Sequence, residues 1–268
     1  MKSVKVKCPA KINLNLKVTG KRPDGYHNIE SVMQTISLYD FLTISVEDFE
    51  RLEITLNGNC AEIPYDETNL VYKAAKLFFD SLKISDKKVS IRIEKNIPVA
   101  AGLAGGSTDG AGTLFGLNSL FNNIFSEAEL HLMCAKLGSD LNVCLKGGCL
   151  MTSGRGEIVT PADFKYMKVS LIKPRNLGIS AKYAYQRFSE KTENGIDIDS
   201  RPKFVNDLEW AVITDYPELQ YIKAKYPNAV MTGSGSTYFS LNDNFNQEDG
   251  YVVFNSLETV NSGVELSL

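Results

Sequence analysis

The feature that most constrains this chain is the stretch 98–112, which reads Pro-Val-Ala-Ala-Gly-Leu-Ala-Gly-Gly-Ser-Thr-Asp-Gly-Ala-Gly. It follows a strand predicted over 89–94, where Val89, Ile91 and Ile93 alternate with polar neighbours, and it opens a helix predicted over 107–121. With few side chains at its centre, its backbone N–H groups are able to approach a ligand closely. The unpaired N–H groups and the positive dipole end of the helix then favour an anion there. Ser107 and Thr108 add hydroxyls. No Gly-Lys-Ser/Thr ends the loop, so it is not a Walker A sequence, and it lacks the glycine spacing of a dinucleotide fold. Taken by itself, a plain strand–helix connector also fits.

A chain of 268 residues is long enough to bury a large core. A net charge of −3 offers no broad cationic surface for nucleic acid or an anionic membrane. No apolar run reaches the roughly 18 residues that a membrane helix needs. The first eight residues alternate apolar and polar, as in a strand and not a signal peptide. Five cysteines (Cys8, Cys60, Cys134, Cys144 and Cys149) show no CxxC spacing and no nearby histidine. They are read as reduced, packed as small apolar groups. A cytoplasmic protein with no nucleic-acid or membrane partner is expected.

Strands are predicted over 4–8, 12–19, 29–37, 41–46 and 52–56, with turn signals at Arg22-Pro23-Asp24-Gly25 and Asn57-Gly58-Asn59. A helix over 68–82 follows, and another over 126–137, where Ser126 and Glu129 have capping-box spacing. A strand is expected over 147–152. The second half is read as a strand over 168–173, a helix over 181–188, an exposed polar loop over 190–200, helices over 205–213 and 217–225, strands over 229–232 and 237–241, a helix over 247–257 and a strand over 260–266. Two α+β units result, 1–155 and 156–268.

The stretch 98–112 resembles the second of three motifs of the GHMP kinases (galactokinase, homoserine kinase, mevalonate kinase and phosphomevalonate kinase). Ala104 stands where glycine or serine is usual, and Thr108 replaces a second serine. Cys8-Pro9-Ala10-Lys11-Ile12-Asn13-Leu14 resembles their first motif, and Met231-Thr232-Gly233-Ser234-Gly235-Ser236-Thr237 their third. The resemblance implies a two-domain α+β fold, a ribosomal protein S5 domain 2-like N-terminal domain and a ferredoxin-like C-terminal domain, with ATP and an acceptor bound between them. It implies that Pro98, Gly102, Leu103, Ala104, Gly105, Gly106, Ser107 and Thr108 cradle the ATP phosphates, with Asn69 and Lys95 on the adenine side. Mg²⁺ is expected with ATP; its protein ligands are unassigned, Ser107 being a candidate. Lys11 and Asp140 are expected to face each other across the acceptor hydroxyl, Asp140 taking its proton and Lys11 offsetting developing charge. Asn13, Gly233, Ser234 and Gly235 are expected on the substrate side.

One branch of the family matches further. The run from Ala10 to Leu14, then Lys17-Val18-Thr19-Gly20-Lys21-Arg22-Pro23-Asp24-Gly25-Tyr26-His27, is similar to members whose acceptor is a cytidine diphosphate-linked methylerythritol. So are Asn69-Leu70-Val71, Leu137-Gly138-Ser139-Asp140, Gly154-Arg155-Gly156-Glu157 and Asn206-Asp207-Leu208-Glu209. The branch phosphorylates the 2-hydroxyl, in the non-mevalonate route to isoprenoid precursors. Tyr26 and His27 are then expected to hold the cytosine, with Tyr185 stacking from the opposite side and Tyr183 its near competitor. His131, mid-helix, is read as structural, and Asp140 also suits a helix N-cap. One departure adjoins it, Leu141-Asn142-Val143-Cys144 where the family has Val-Pro-Phe-Phe. A different small alcohol as acceptor, or a nucleotide-binding relative without catalysis, are the alternatives. A monomer and a homodimer both fit.

Overall fold

The alternating residues of the first fifty positions form one long ribbon in place of several short strands. In the computed structural model, which describes residues 1–193, 205–241 and 243–267, β1 (Lys2–Lys21) pairs antiparallel with β2 (His27–Asp48) along almost its whole length. The expected break near Pro9 is a shift of register between Pro9 and Ala10, and another follows between Asn13 and Asn15. Proline has no N–H to give a ladder, so pairing slips there without the strand ending. The turn signal at 22–25 does close the ribbon: Arg22 N–H donates to the Tyr26 carbonyl at 2.8 Å, and Gly25 has φ +84°.

The ribbon organises the first sheet. The late part of β2 pairs with β4 (Lys87–Glu94), which lies parallel to β3 (Glu53–Gly58). The early part of β2 pairs with β5 (Cys149–Ser153), and β5 with β6 (Ile158–Pro161). A short β11 (Glu265–Leu266) pairs with β1. The second sheet runs in the order β10 (Tyr251–Glu258), β7 (Lys168–Pro174), β9 (Tyr238–Ser240), β8 (Val230–Met231).

Three apolar clusters are strung along the ribbon. The first packs Val6, Leu42, Ile44, Val89 and Ile91 under α1 (Leu70–Leu82), α2 (Gly105–Leu120) and α3 (Glu127–Leu137), with α4 (Leu141–Lys146) beside them. At the turn end of the ribbon, Leu16, Val18, Ile29 and Met33 meet α5 (Ala181–Glu193), α6 (Asp207–Val212) and α7 (Pro217–Lys225). Between them, Ala10, Ile12 and Ile36 hold Ala101 and Leu103 of the glycine-rich loop against Val169, Leu171 and Phe239 of the second sheet. The glycine loop is thus clamped where the two sheets meet. The capping box at Ser126 and Glu129 forms as expected. All five cysteines are unpaired, and burial pushes the Cys134 thiol up to about 12, as suits an inert packed thiol.

Several expectations are corrected. The helix predicted over 247–257 is the strand β10: Tyr251, Val252, Val253 and Phe254 are aromatic or β-branched and pair with β7, after a turn at Gly250 with φ +84°. Of the strand predicted over 260–266 only Glu265–Leu266 pairs. Of the loop predicted over 190–200, residues 190–193 extend α5, and 194–200 lie outside the described residues. Apart from these corrections, residues 155 and 156 lie in the turn of the β5–β6 hairpin, and β11 pairs with β1 in the first sheet. Among the described residues, no helix is long and apolar enough to cross a membrane.

Candidate active site

The glycine-rich loop leaves β4, crosses over the ribbon and enters α2 at Gly105. Leu103, 1% exposed, turns its side chain into the core and pins the loop from below. Gly102 has φ +75°, and a Cβ there would sit 2.2 Å from the Thr232 carbonyl oxygen, so only glycine fits. Ala104 holds the N-cap position with φ 59° and gives no side-chain cap, leaving the first N–H groups of α2 to a ligand. A Cβ on Gly106 would meet nothing, so the backbone there is open to approach.

The three sequence motifs converge on one carbonyl. Lys11, in β1, is 3% exposed and donates to the Gly102 carbonyl at 3.1 Å and to Asn13 Oδ1 at 2.7 Å. Thr232 Oγ1 also reaches the Gly102 carbonyl, at 3.4 Å, and accepts the Asn13 N–H at 2.9 Å. Gly233 packs against the same spot, where a Cβ would lie 2.9 Å from Gly102 O and 3.4 Å from Lys11 Nζ. Asn206, fully buried, donates to the carbonyls of Met231 and Gly233 and so fixes the third loop. A buried lysine needs such partners, since an unpaired ammonium is costly in the interior.

Asp140 approaches this cluster from the other side, with Oδ2 3.5 Å from Lys11 Nζ. It occupies the N-cap position of α4 but makes no side-chain cap bond, so its carboxylate is free for other work. The side chain is about a third exposed, toward a cavity of about 930 Å³. Lys11, Asn13, Ser107, Gly233 and Ser234 line that cavity with Asp140, and so do Tyr26, His27 and Tyr185. The His27 and Tyr185 rings stack at 5.2 Å and 16°, and His27 Nε2 is 2.9 Å from Ser189 Oγ. Burial lowers the His27 pKa, and Lys21 adds to this against Glu193, so the ring is neutral at neutral pH. Tyr183 points elsewhere, donating to Asp215 at 3.0 Å.

A second cavity of about 360 Å³ lies across the glycine loop, lined by Asn69, Lys95, Pro98, Gly105 and Gly106 among others. Gly102 and Ala104 line both cavities, so the loop is the wall between them. Asn69 caps α1, accepting the Val71 N–H at 2.9 Å. Lys95 is held by Asp40 and Asp109, 3.0 Å from the latter. Burial works against the Lys95 charge, but Asp109 and Asp40 outweigh it and raise its pKa. Burial, with Asp40 nearby, pushes the Asp109 carboxyl up to about 7 against the pull of Lys95.

Of the expected residues, Leu103, Thr108 and Gly235 line neither cavity, Thr108 being fully buried beneath the loop. Sequence reasoning gave no role to Arg155, whose guanidinium lies 5.0 Å over the Tyr26 ring at the cavity wall. Nor did it find Asp40 and Asp109. Asp40 carried a signal: it falls on the same strand face as Leu38 and Leu42, where an aspartate must have a partner.

Two pockets that share a backbone wall, with a lysine–aspartate pair lining the larger one and the lysine bonded to that wall at the Gly102 carbonyl, suit transfer of an anionic group between two bound molecules. The GHMP kinases N terminal domain matches residues 69–148. A 4-diphosphocytidyl-2-C-methyl-D-erythritol kinase of Lachnoclostridium phytofermentans is 40% identical over 264 residues, covering 91% of this chain and 89% of that one. The chain belongs to the 4-diphosphocytidyl-2-C-methyl-D-erythritol kinase family. The family's member from Clostridium acetobutylicum is 38% identical over 92% of this chain and 93% of its own length. A crystal structure of 4-(cytidine 5'-diphospho)-2C-methyl-D-erythritol kinase superposes with a TM-score of 0.74 at 26% identity, covering 96% of this chain and 99% of that one. A homoserine kinase from Cytophaga hutchinsonii shares the fold, with a TM-score of 0.68 at 16% identity, covering 100% of this chain and 98% of that one. The chain is therefore an ATP-dependent kinase of mixed α+β fold.

Proposed function

We propose that this kinase transfers the γ-phosphoryl group of ATP to the 2-hydroxyl of 4-diphosphocytidyl-2-C-methyl-D-erythritol. The observation that carries the reading is the Lys11–Asp140 pair, 3.5 Å apart, in a cavity that His27 and Tyr185 also line and that shares the glycine loop as a wall with the smaller donor cavity. An acceptor that carries a base would use those aromatics; a simple alcohol would leave them idle.

In this reading ATP lies over the open N-terminus of α2, its phosphates on the N–H groups of Gly105, Gly106 and Ser107 and its adenine near Asn69. The cytosine sits with Tyr26, His27 and Tyr185, with Asn13, Gly233 and Ser234 along the way to the hydroxyl. Asp140 accepts the hydroxyl proton as the new O–P bond forms and the bond from the γ-phosphorus to ADP breaks. Lys11 is anchored by Asn13 and Gly102, so its charge already faces the transferred group and needs no rearrangement. The protein's work is positioning and electrostatics.

Among the described residues no three carboxylate, histidine or cysteine groups gather as a metal cage. An ion bound with ATP would be held by phosphate oxygens and water, with the Ser107 hydroxyl at the cavity wall as the candidate protein contact. Such an ion supplies charge neutralisation across the phosphates. The expected setting is the cytoplasm.

The test is ADP release from Mg-ATP with and without the cytidyl acceptor. Acceptor-dependent release supports the reading. Folded protein that binds ATP but shows none refutes it.

A further inference from the structure

We propose that Asn142 is a positioning residue that couples the catalytic end of the acceptor cavity to its base-binding end, an inference that rests on the phosphoryl-transfer reading above. Asn142 lies two residues after Asp140 in the first turn of α4, in the segment that departs from the family pattern, and is 6% exposed. A buried primary amide has two donors and an acceptor to satisfy. Asn142 directs one donor and its acceptor to two different elements.

Its Nδ2 donates to the carbonyl of Glu157 at 3.1 Å, and its Oδ1 lies 3.0 Å from His131 Nδ1 on α3. Because Nδ2 is the donor, Oδ1 must accept, which assigns the proton to His131 Nδ1. One side chain therefore ties α3, the start of α4 and the turn after β5 together.

That turn touches both Asp140 and Tyr26 in the wall of the cavity. Gly156 passes beside the catalytic aspartate, where a Cβ would lie 3.6 Å from Ser139 Cβ and 3.9 Å from Asp140 Oδ1. One residue earlier, Arg155 lies over the Tyr26 ring. Glu157 closes the turn on itself, its Oε2 accepting the Arg155 N–H at 2.6 Å. A slip of the turn along α4 would move the Tyr26 platform and the wall of Asp140 at once. Apart from Lys11, nothing else in the described residues forms an ion pair with the Asp140 carboxylate, so the setting of α4 decides where it points.

The experiment compares Asn142→Ala, His131→Ala and His131→Gln with the wild type, in steady-state kinetics and in binding of cytidine 5'-diphosphate. Trp210, the single tryptophan, reports that binding, since it packs edge-on against Phe188, which packs edge-on against His27. Asn142→Ala is expected to lower kcat and raise the acceptor KM, each about tenfold, with ATP affinity within about twofold, since small misplacements of reacting groups carry losses of that order. His131→Ala is expected to give a smaller change of the same kind. His131→Gln, whose amide is able to donate to Asn142 Oδ1, is expected to restore wild-type values; a packing role would not separate the two. Unchanged acceptor KM and kcat in folded Asn142→Ala overturn the proposal. If that variant does not fold, equal values for His131→Ala and His131→Gln overturn it. Wild-type protein that binds cytidine 5'-diphosphate without turnover sinks the kinase reading instead, and the fluorescence titration of the same variants still decides the bridge, which requires weaker binding in His131→Ala than in His131→Gln.

Discussion

Lys11 Nζ stands 3.5 Å from Asp140 Oδ2 but gives its short hydrogen bonds to Asn13 and the Gly102 carbonyl, at 2.7 and 3.1 Å. A separation of 3.5 Å is too long for a strong charge-assisted bond. The lysine thus lends its field to the carboxylate without occupying it, and the carboxylate keeps a lone pair for a proton. Asp140→Asn removes the proposed base and keeps the shape. We expect kcat to fall by roughly 10²–10⁴, the usual worth of a general base, while ATP binding measured by calorimetry is unchanged. Retention of more than a tenth of the wild-type kcat would take the base role from Asp140.

Gly102 is the point where the three motifs touch, and its test is steric. Gly102→Ala drives a Cβ to 2.2 Å from the Thr232 carbonyl at a φ of +75°, where backbone must move. We expect a stability loss of about 2–3 kcal/mol by chemical denaturation, from backbone strain and overpacking combined. The ATP and acceptor KM values should both rise, because the loop walls both cavities. A variant with native midpoint and native kinetics would show that the loop relaxes freely.

Asp109 sets a pH dependence whose sign can be worked out. Its carboxyl titrates near 7 in the folded chain, against about 4 when unfolded. Between those values the folded state binds the extra proton, so stability falls as pH rises from about 4 to about 7, with a slope of at most about 1.4 kcal/mol for each step of one in pH. Asp109→Asn abolishes this contribution. The variant's denaturation midpoint should therefore gain on the wild type as pH is raised through that window, and a constant difference between the two would rule the linkage out. Lys95 keeps Asp40 as its partner in the variant, which avoids stranding a buried ammonium.

Much of this was legible from the sequence, for physical reasons that differ by element. The glycine loop was found because its conformation has to be written in glycine, and the Ser126 capping box because a cap is a local exchange of hydrogen bonds. The run 247–257 was misread because its polar start and apolar middle satisfy a helical spacing, while pairing with β7, remote in sequence, makes it a strand. The Lys95–Asp40–Asp109 cluster joins β2, the end of β4 and α2, and no local pattern announces a meeting of residues so far apart. Arg155 was visible as a residue, yet its place over Tyr26 depends on how the β5–β6 turn folds back on the ribbon.

Tyr185 was the expected second aromatic of the cavity with Tyr183 its near competitor, and two residues along α5 separate their environments. Two residues along a helix turn a side chain by about 200°, so only one of the pair faces the cavity. Tyr185 lines it and stacks on His27, whereas Tyr183 donates to Asp215 and meets Tyr216 edge-on. Tyr185→Ala is expected to raise the acceptor KM by about 10- to 100-fold, the range that stacking of a base on an aromatic supports, with little change in the ATP KM. Tyr183→Phe should leave the acceptor KM within about twofold and lower the melting temperature slightly, through loss of one hydrogen bond. If instead Tyr183→Phe moved the acceptor KM and Tyr185→Ala did not, α5 would have to be turned by half a revolution from the orientation seen here.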